Sequence, residues 1–223
     1  MKVRNRAYCG FNAASKGAAF SFVASANISC FWNTGARHSV APRASGHPYL
    51  DKDLIMTIKI GDRLPEGKLA EFIETETEGC SLGPNSFNVS DLVKGKKIAL
   101  FAVPGAFTPT CSAKHLPGYI QHAAEFKAKG VDEIWAVSVN DAFVMGAWGR
   151  DQKATGIVRL LADGNADFVK ALGLDADFGK FGMGVRSQRF SALIDDGVVK
   201  QLNVEQGGKF EVSNAETLLA QLA

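Results

Sequence analysis

From about residue 56 onward, the apolar and polar positions switch repeatedly between two periods. Lys97-Ile98-Ala99-Leu100-Phe101-Ala102 is a continuous apolar run bounded by charge on one side and by Pro104 and Gly105 on the other, the pattern of a buried parallel strand. Glu133-Ile134-Trp135-Ala136-Val137-Ser138-Val139 repeats that pattern, and Val158 to Ala162 gives a third strand. Between them, residues 111–129 carry Leu116, Tyr119, Ile120, Ala123 and Phe126 mostly at helical spacing, with Pro117 expected to bend the helix or break its first turns. Ala142 to Gln152 is predicted as a helix capped by Asn140-Asp141, and Asn165 to Leu172 as another, stopped by Gly173.

Flanking segments complete the pattern. Lys68-Leu69-Ala70-Glu71-Phe72-Ile73 alternates well enough for a short strand, half of a hairpin, followed by a loop over Glu74 to Asn85 that contains Cys80. Asn88-Val89-Ser90 matches a glycosylation sequon, but Ser90 is more simply the N-cap of a short helix through Val93. Arg189 to Ile194 and Val198 to Val204 flank Asp195-Asp196-Gly197, a hairpin signature, and Ser213 with Glu216 suits a capping box for the last helix. Crossover strands first and a hairpin later predict an α/β fold of three layers, a central mixed sheet flanked by helices in the thioredoxin-like arrangement.

The candidate chemistry lies where the central strand ends. Val103-Pro104-Gly105-Ala106-Phe107-Thr108-Pro109-Thr110-Cys111 reads as a tight turn leading to a cysteine near a helix start. Free backbone N–H groups and the helix dipole favour a thiolate at such a position. On local sequence, a buried, inert cysteine fits equally well. Pro104-x-x-x-Thr108-x-x-Cys111 resembles the active-site motif of the peroxiredoxins, and Pro-Gly-Ala-Phe-Thr-Pro-Thr-Cys-Ser is similar to its type II, or peroxiredoxin five-like, branch over roughly residues 58–223. The resemblance implies the thioredoxin-like fold and a thiol-dependent peroxidase that reduces hydrogen peroxide and organic hydroperoxides.

Carried onto this sequence, the resemblance makes Cys111 the peroxidatic nucleophile. Thr108 presents its hydroxyl to the thiolate or to a peroxide oxygen, although it also fits as an ordinary N-cap. Pro104, which has no N–H, shields the pocket from water. Val185-Arg186-Ser187-Gln188-Arg189-Phe190 looks like the family segment whose arginine contacts the thiolate, which implicates Arg189, with Arg186 supporting it by pairing with a nearby acid. The sulfenic acid formed on Cys111 must then be reduced. The family's usual resolving positions hold Ala136 and, near the C-terminus, Ser213 and its neighbours, none of them cysteine. A one-cysteine cycle follows, with no cofactor and an external thiol as reductant: glutathione first, then glutaredoxin or thioredoxin. Cys80 is the alternative resolving cysteine, and a redox sensor that oxidises a partner protein is a non-catalytic alternative. A disulfide reductase is disfavoured, because Cys111-Ser112-Ala113-Lys114 has no second thiol.

Charge divides the chain. Residues 1–50 hold six of the 25 basic residues and none of the 23 acidic ones, so the remainder is mildly acidic and has no electrostatic footprint for nucleic acid. Residues 1–55 are expected to form a disordered extension, either an organelle transit peptide or an over-extended start ahead of Met56, and residues 56–223 the domain. The protein is then mitochondrial or plastid in the first case and cytoplasmic in the second. No apolar run reaches the ~18 residues a membrane span needs. Four cysteines, two of them in the extension, suit a reducing compartment. Cys111, His115 and His122 share a helix face but lack an evident fourth ligand, so no metal is expected. Gly182-Met183-Gly184 reads as a loop, and Phe107, Phe143, Val144 and Trp148 as core, some of them at a homodimer contact that the resemblance implies.

Overall fold

The central strand is the most apolar stretch of the domain because both of its faces are covered. The computed structural model describes residues 57–74 and 82–222. In chain order these form β1 (Lys68–Ile73), β2 (Gly83–Asn88), α1 (Val89–Val93) and β3 (Lys97–Val103), then a π-helical turn (Cys111–His115) running into α2 (Leu116–Gln121) and α3 (Ala123–Ala128). There follow β4 (Glu133–Ser138), α4 (Ala142–Asp151), β5 (Arg159–Ala162), α5 (Asp167–Ala171), β6 (Asp175–Asp177), β7 (Val185–Ser187), β8 (Phe190–Asp195), β9 (Val198–Val204) and α6 (Ala215–Ala220). Seven strands make one mixed sheet in the order β2-β1-β5-β4-β3-β8-β9. β3 pairs parallel with β4 and antiparallel with β8, so it is satisfied along both edges.

Because side chains alternate along a strand, β3 serves two cores at once. Ala99, Phe101 and Val103 join α2, α3, α4 and α6, through Tyr119, Phe126, Trp148 and Leu218, on one face. Ile98, Leu100 and Ala102 join α1 and α5, through Leu92 and Phe168, on the other. This is the expected α/β, thioredoxin-like, three-layer architecture. The Asp195-Asp196-Gly197 hairpin is also present: Asp196 and Gly197 have φ of 46° and 78°, as a two-residue turn of the right twist requires.

Several local expectations are corrected by tertiary context. The loop after β1 is shorter than Glu74 to Asn85, because Gly83–Asn88 pairs with β1 and supplies the other half of its hairpin. Pairing with an existing strand overrides the weak intrinsic preference of Gly-Pro-Asn-Ser. Ser90 lies inside α1, whose cap position is Asn88. Asn214 caps α6, accepting from Thr217 N at 2.7 Å, while the Ser213 hydroxyl is drawn to Glu205 at 2.9 Å. Asp141 does cap α4, through Val144 N at 2.9 Å. The third helix starts later than Asn165, since Ala166 is left-handed and Asp163 accepts from Phe168 N and Val169 N. Pro117 falls in the first turn of α2, directly after the π-helical turn, where a missing N–H costs little, and a second break separates α2 from α3 at His122. Residues 1–55 lie outside the described residues, and so do the readings placed on them.

α4 packs against β1 closely enough to require glycine. A Cβ on Gly146 would lie 2.7 Å from Phe72 Cβ, an atom fixed to the backbone. Gly146→Ala is expected to destabilise the domain by about 1–2 kcal/mol despite alanine's better helix propensity. Gly118→Ala, whose nearest neighbour would be 4.0 Å away, should be neutral or stabilising. Urea unfolding midpoints of the two variants check this.

Candidate active site

The turn after β3 is built from short-range bonds that leave little freedom. Thr108 Oγ1 donates to Gly105 O at 2.8 Å, and Phe107 is held at φ 59° between them. Asn140, just beyond β4, accepts from Ala106 N at 2.9 Å and from Ser138 Oγ at 2.8 Å, tying the turn to the neighbouring strand. Gly105 is closely surrounded: a Cβ there would sit 3.1 Å from Thr108 Cγ2, 3.3 Å from Met183 Cε and 3.4 Å from Arg186 Nη1, so these side chains would have to give by a few tenths of an ångström. The first helical turn follows, with Ser112 N donating to Thr108 O at 3.0 Å. Cys111 therefore sits in that first turn, fully buried. Trp148 of α4 pins the turn from behind, donating from Nε1 to Ser112 Oγ at 2.9 Å.

Arg189, 78 positions downstream, arrives from the link between β7 and β8. Because β8 is the neighbour of β3, the guanidinium reaches the end of the central strand, and Nη1 donates to Cys111 Sγ at 3.5 Å. The same nitrogen lies 3.0 Å from His115 Nδ1, and Phe210 lies under the guanidinium with 5.7 Å from Cζ to its ring centre. Arg189 is buried, and among the described residues no carboxylate lies within ion-pair distance of it. Its charge is thus directed at the sulfur with little solvent to screen it. Pro104 and Arg189 both border a cavity of about 440 Å³ that is also lined by Phe178, Phe181 and Glu205.

The sequence-derived residues meet different fates. Cys111, Arg189, Pro104 and Thr108 are brought together. Among the described residues Arg186 pairs with no acid: it donates to Met183 O at 2.8 Å and Val139 O at 2.9 Å, bracing the end of β4 against the segment that carries Arg189. Two carbonyls suffice because the bridge crosses backbone turns, where carbonyls are the available acceptors. The Thr108 hydroxyl is spent on Gly105 O, and it is the Thr108 carbonyl that opens the helix. Cys111, His115 and His122 do not converge, since His122 Nδ1 faces Glu125 at 2.7 Å and His115 faces Arg189. Trp148 is core, whereas Phe107 and Phe143 are exposed. Ala136 is buried at the centre of β4. Cys80 lies outside the described residues.

Sequence reasoning missed His115 as anything but a metal ligand. Its spacing of four from Cys111 on one helix face was the available signal. Glu205, also missed, accepts through one oxygen from the N–H groups of Glu211, Val212 and Ser213 at 2.7–2.8 Å. Partial burial pushes its pKa up, but those bonds outweigh burial and hold the carboxyl below its usual range.

Burial first, and the Arg189 charge second, pull His115 down from 6.5 to about 3, against the Ser213 carbonyl and Glu205, which raise it. A base whose folded pKa is lowered contributes stability that is complete above pH 6.5 and is lost as pH falls toward the folded value. From pH 6.5 to 5, His115 alone is expected to remove about 2 kcal/mol, at about 1.4 kcal/mol per pH unit. His122, raised chiefly by its hydrogen bond to Glu125, acts with the opposite sign but weakly, because Glu125 is solvent-exposed. Urea titrations at pH 7, 6 and 5 should show the decline, and His115→Phe should flatten it.

Comparison with known proteins adds an independent line. The redoxin family profile matches residues 59–219. Peroxiredoxin-2E-2, chloroplastic, of Oryza sativa subsp. japonica is 49% identical over 175 residues, covering 76% of this chain and 74% of the relative. Among solved structures, reduced Prx3 of Vibrio vulnificus in complex with hydrogen peroxide is 54% identical with TM-score 0.69, over 75% of this chain and 100% of that one. A Burkholderia cenocepacia chain described as a thioredoxin reductase is 58% identical with TM-score 0.75, over 75% of this chain and 99% of that one.

Proposed function

The chain belongs to the redoxin family and, within it, to the type II peroxiredoxins, thiol-dependent peroxidases; from that premise we propose that Cys111 is the sulfur that reacts and that an external thiol, glutathione first, restores it. The observation that carries this reading is Arg189 Nη1 at 3.5 Å from Cys111 Sγ, a fixed cation on the only described cysteine. The Cys111 thiolate attacks the nearer peroxide oxygen: an S–O bond forms as the O–O bond breaks, and the departing oxygen takes a proton and leaves as water or alcohol. Arg189 faces the sulfur and offers further N–H donors to the peroxide. Pro104 walls the pocket, and Thr108 acts through the shape of the turn, its oxygen still able to accept a bond from the peroxide.

Glutathione then attacks the sulfenic sulfur, releasing water and leaving a mixed disulfide; a second glutathione cleaves this to the Cys111 thiol and oxidised glutathione, or a glutaredoxin thiol cleaves it by taking the glutathionyl group onto its own sulfur. No cofactor or metal takes part. The absence of cysteine at Ala136 and around Ser213 supports the one-cysteine cycle. Thioredoxin-dependent turnover through Cys80 is the second reading, and a sensor would use the same residues without steady turnover. The exposed Phe107 and Phe143, beside the turn and on α4, support a homodimer contact. The chloroplastic name of the rice relative supports the transit-peptide reading of residues 1–55 and a plastid location.

Peptide-resolved mass spectrometry after one equivalent of peroxide tests the cycle. A trapped sulfenic acid on Cys111, converted by glutathione to a Cys111 adduct, is expected, with Cys80→Ser turning over as the wild type does. A Cys80–Cys111 bridge, with turnover lost in Cys80→Ser, would transfer the cycle to the second reading.

A further inference from the structure

The cavity of about 440 Å³ beside Arg189 carries groups that a peroxide does not use. Arg189 forms part of its wall, and Nη1 of the same side chain contacts Cys111 Sγ, so an occupant lies one side chain away from the reacting sulfur. Pro104, Phe178 and Phe181 make the wall apolar on one side. Gly207 and Gly208 border it with backbone N–H groups that have no partner among the described residues, and Glu205 adds a carboxylate.

Glu205 is only 6% exposed, yet its two oxygens are used very differently. Oε1 takes the N–H groups of Glu211, Val212 and Ser213 and the Ser213 hydroxyl. Oε2 takes no donor among the described residues. Nor is it sealed, because among those residues Arg189 Nε is the one unpartnered side-chain atom cut off from solvent. Oε2 therefore opens on the cavity that Glu205 borders. Burial works against the charge, but the donors to Oε1 outweigh it and keep the group ionised. Asp177, the other lining carboxylate, is exposed and has one oxygen on Gly179 N at 2.7 Å, so Glu205 is the desolvated charge.

An anionic oxygen in such a space is stabilised by a ligand that brings a charged N–H donor. The hydrocarbon of an organic hydroperoxide would leave it facing carbon. We propose that the cavity seats the reductant, and that Glu205 Oε2 receives the α-ammonium of glutathione. The free N–H groups of Gly207 and Gly208 offer donors to the tripeptide's carboxylates, and the apolar wall covers its methylenes. The glutathione sulfur attacks the Cys111 sulfenic sulfur from this seat: an S–S bond forms as the S–O bond breaks, and hydroxide leaves with the thiol proton as water. This inference rests on the glutathione-dependent cycle proposed above.

Glutaryl-cysteinylglycine is glutathione with hydrogen in place of the ammonium, so the two thiols have the same intrinsic reactivity. In stopped-flow measurements, the Cys111 sulfenic acid of the wild-type full chain is expected to react with it about tenfold more slowly than with glutathione. In Glu205→Gln the amide oxygen can still accept from residues 211–213 while a neutral NH₂ replaces Oε2, and the two thiols should differ by less than about threefold. The ratio is read within each protein, so the variant's overall rate does not enter. A wild type that treats the thiols alike, or a folded Glu205→Gln that separates them as the wild type does, would overturn the proposal. If the variant fails to fold, the wild-type ratio decides alone. Failure of glutathione itself to reduce the sulfenic acid would remove the glutathione cycle and this site together, whereas reduction by both thiols at equal rates would remove the site alone.

Discussion

Peroxide consumption is expected to fall to the uncatalysed background in Cys111→Ser, with glutathione or thioredoxin supplied as reductant. The change is the smallest that removes the sulfur. Cys111 is fully buried in the π-helical turn, and serine fits the same space, so the Thr108–Gly105 turn and the Trp148 bond to Ser112 should persist. What disappears is the chemistry: a serine hydroxyl holds its proton at neutral pH and is a weak nucleophile unless a base activates it. The nearby His115 cannot supply one, since its Nδ1 is turned to Arg189. A coupled reductant assay measures the loss, with circular dichroism to confirm the fold. Residual turnover above background would move the reaction to Cys9, Cys30 or Cys80 and would remove Cys111 from its role.

Arg189→Met is expected to slow Cys111 oxidation by about 10²- to 10³-fold, the range seen when one charge-stabilising donor is deleted from an active site. Arg189→Lys should recover only part of this. An ammonium is a point charge without the planar fork that lets one nitrogen face the sulfur and His115 at fixed angles. Stability should move the other way. Among the described residues the buried Arg189 has no carboxylate partner, so removing it relieves a desolvation cost and offsets the partner lost by His115. The urea midpoint of Arg189→Met is therefore expected at or above that of the wild type, while its stopped-flow oxidation rate collapses. A rate within about threefold of wild type would mean that the 3.5 Å contact does not serve catalysis.

These two expectations differ in how readily the sequence yields them. Cys111 stands in a local motif, strand then turn then helix, whose residues are neighbours in the chain and whose chemistry follows from proline, glycine and helix-terminus physics. Arg189 was legible only through resemblance, because no local rule links positions 78 apart. His115 lay in plain view, one helical turn past Cys111, yet its role could not be read: a histidine on an apolar face can be a ligand, a base or a buried acceptor. Only its neighbours Arg189 and Ser213 decide.

Apolar periodicity, Gly and Pro punctuation and the turn dipeptides determined the order of the elements, the buried central strand and the place of the thiol, because each depends on residues a few positions apart. Pairing determined the rest. It made a strand of Gly83–Asn88, moved the last helix cap from Ser213 to Asn214 and turned Arg186 toward two carbonyls instead of an acid. It also set β8 beside β3, which carries Arg189 to Cys111. The physical reason is range: hydrogen-bonding preference and periodicity act within a turn or two of chain, whereas a buried charge and its acceptor meet only after the sheet has closed.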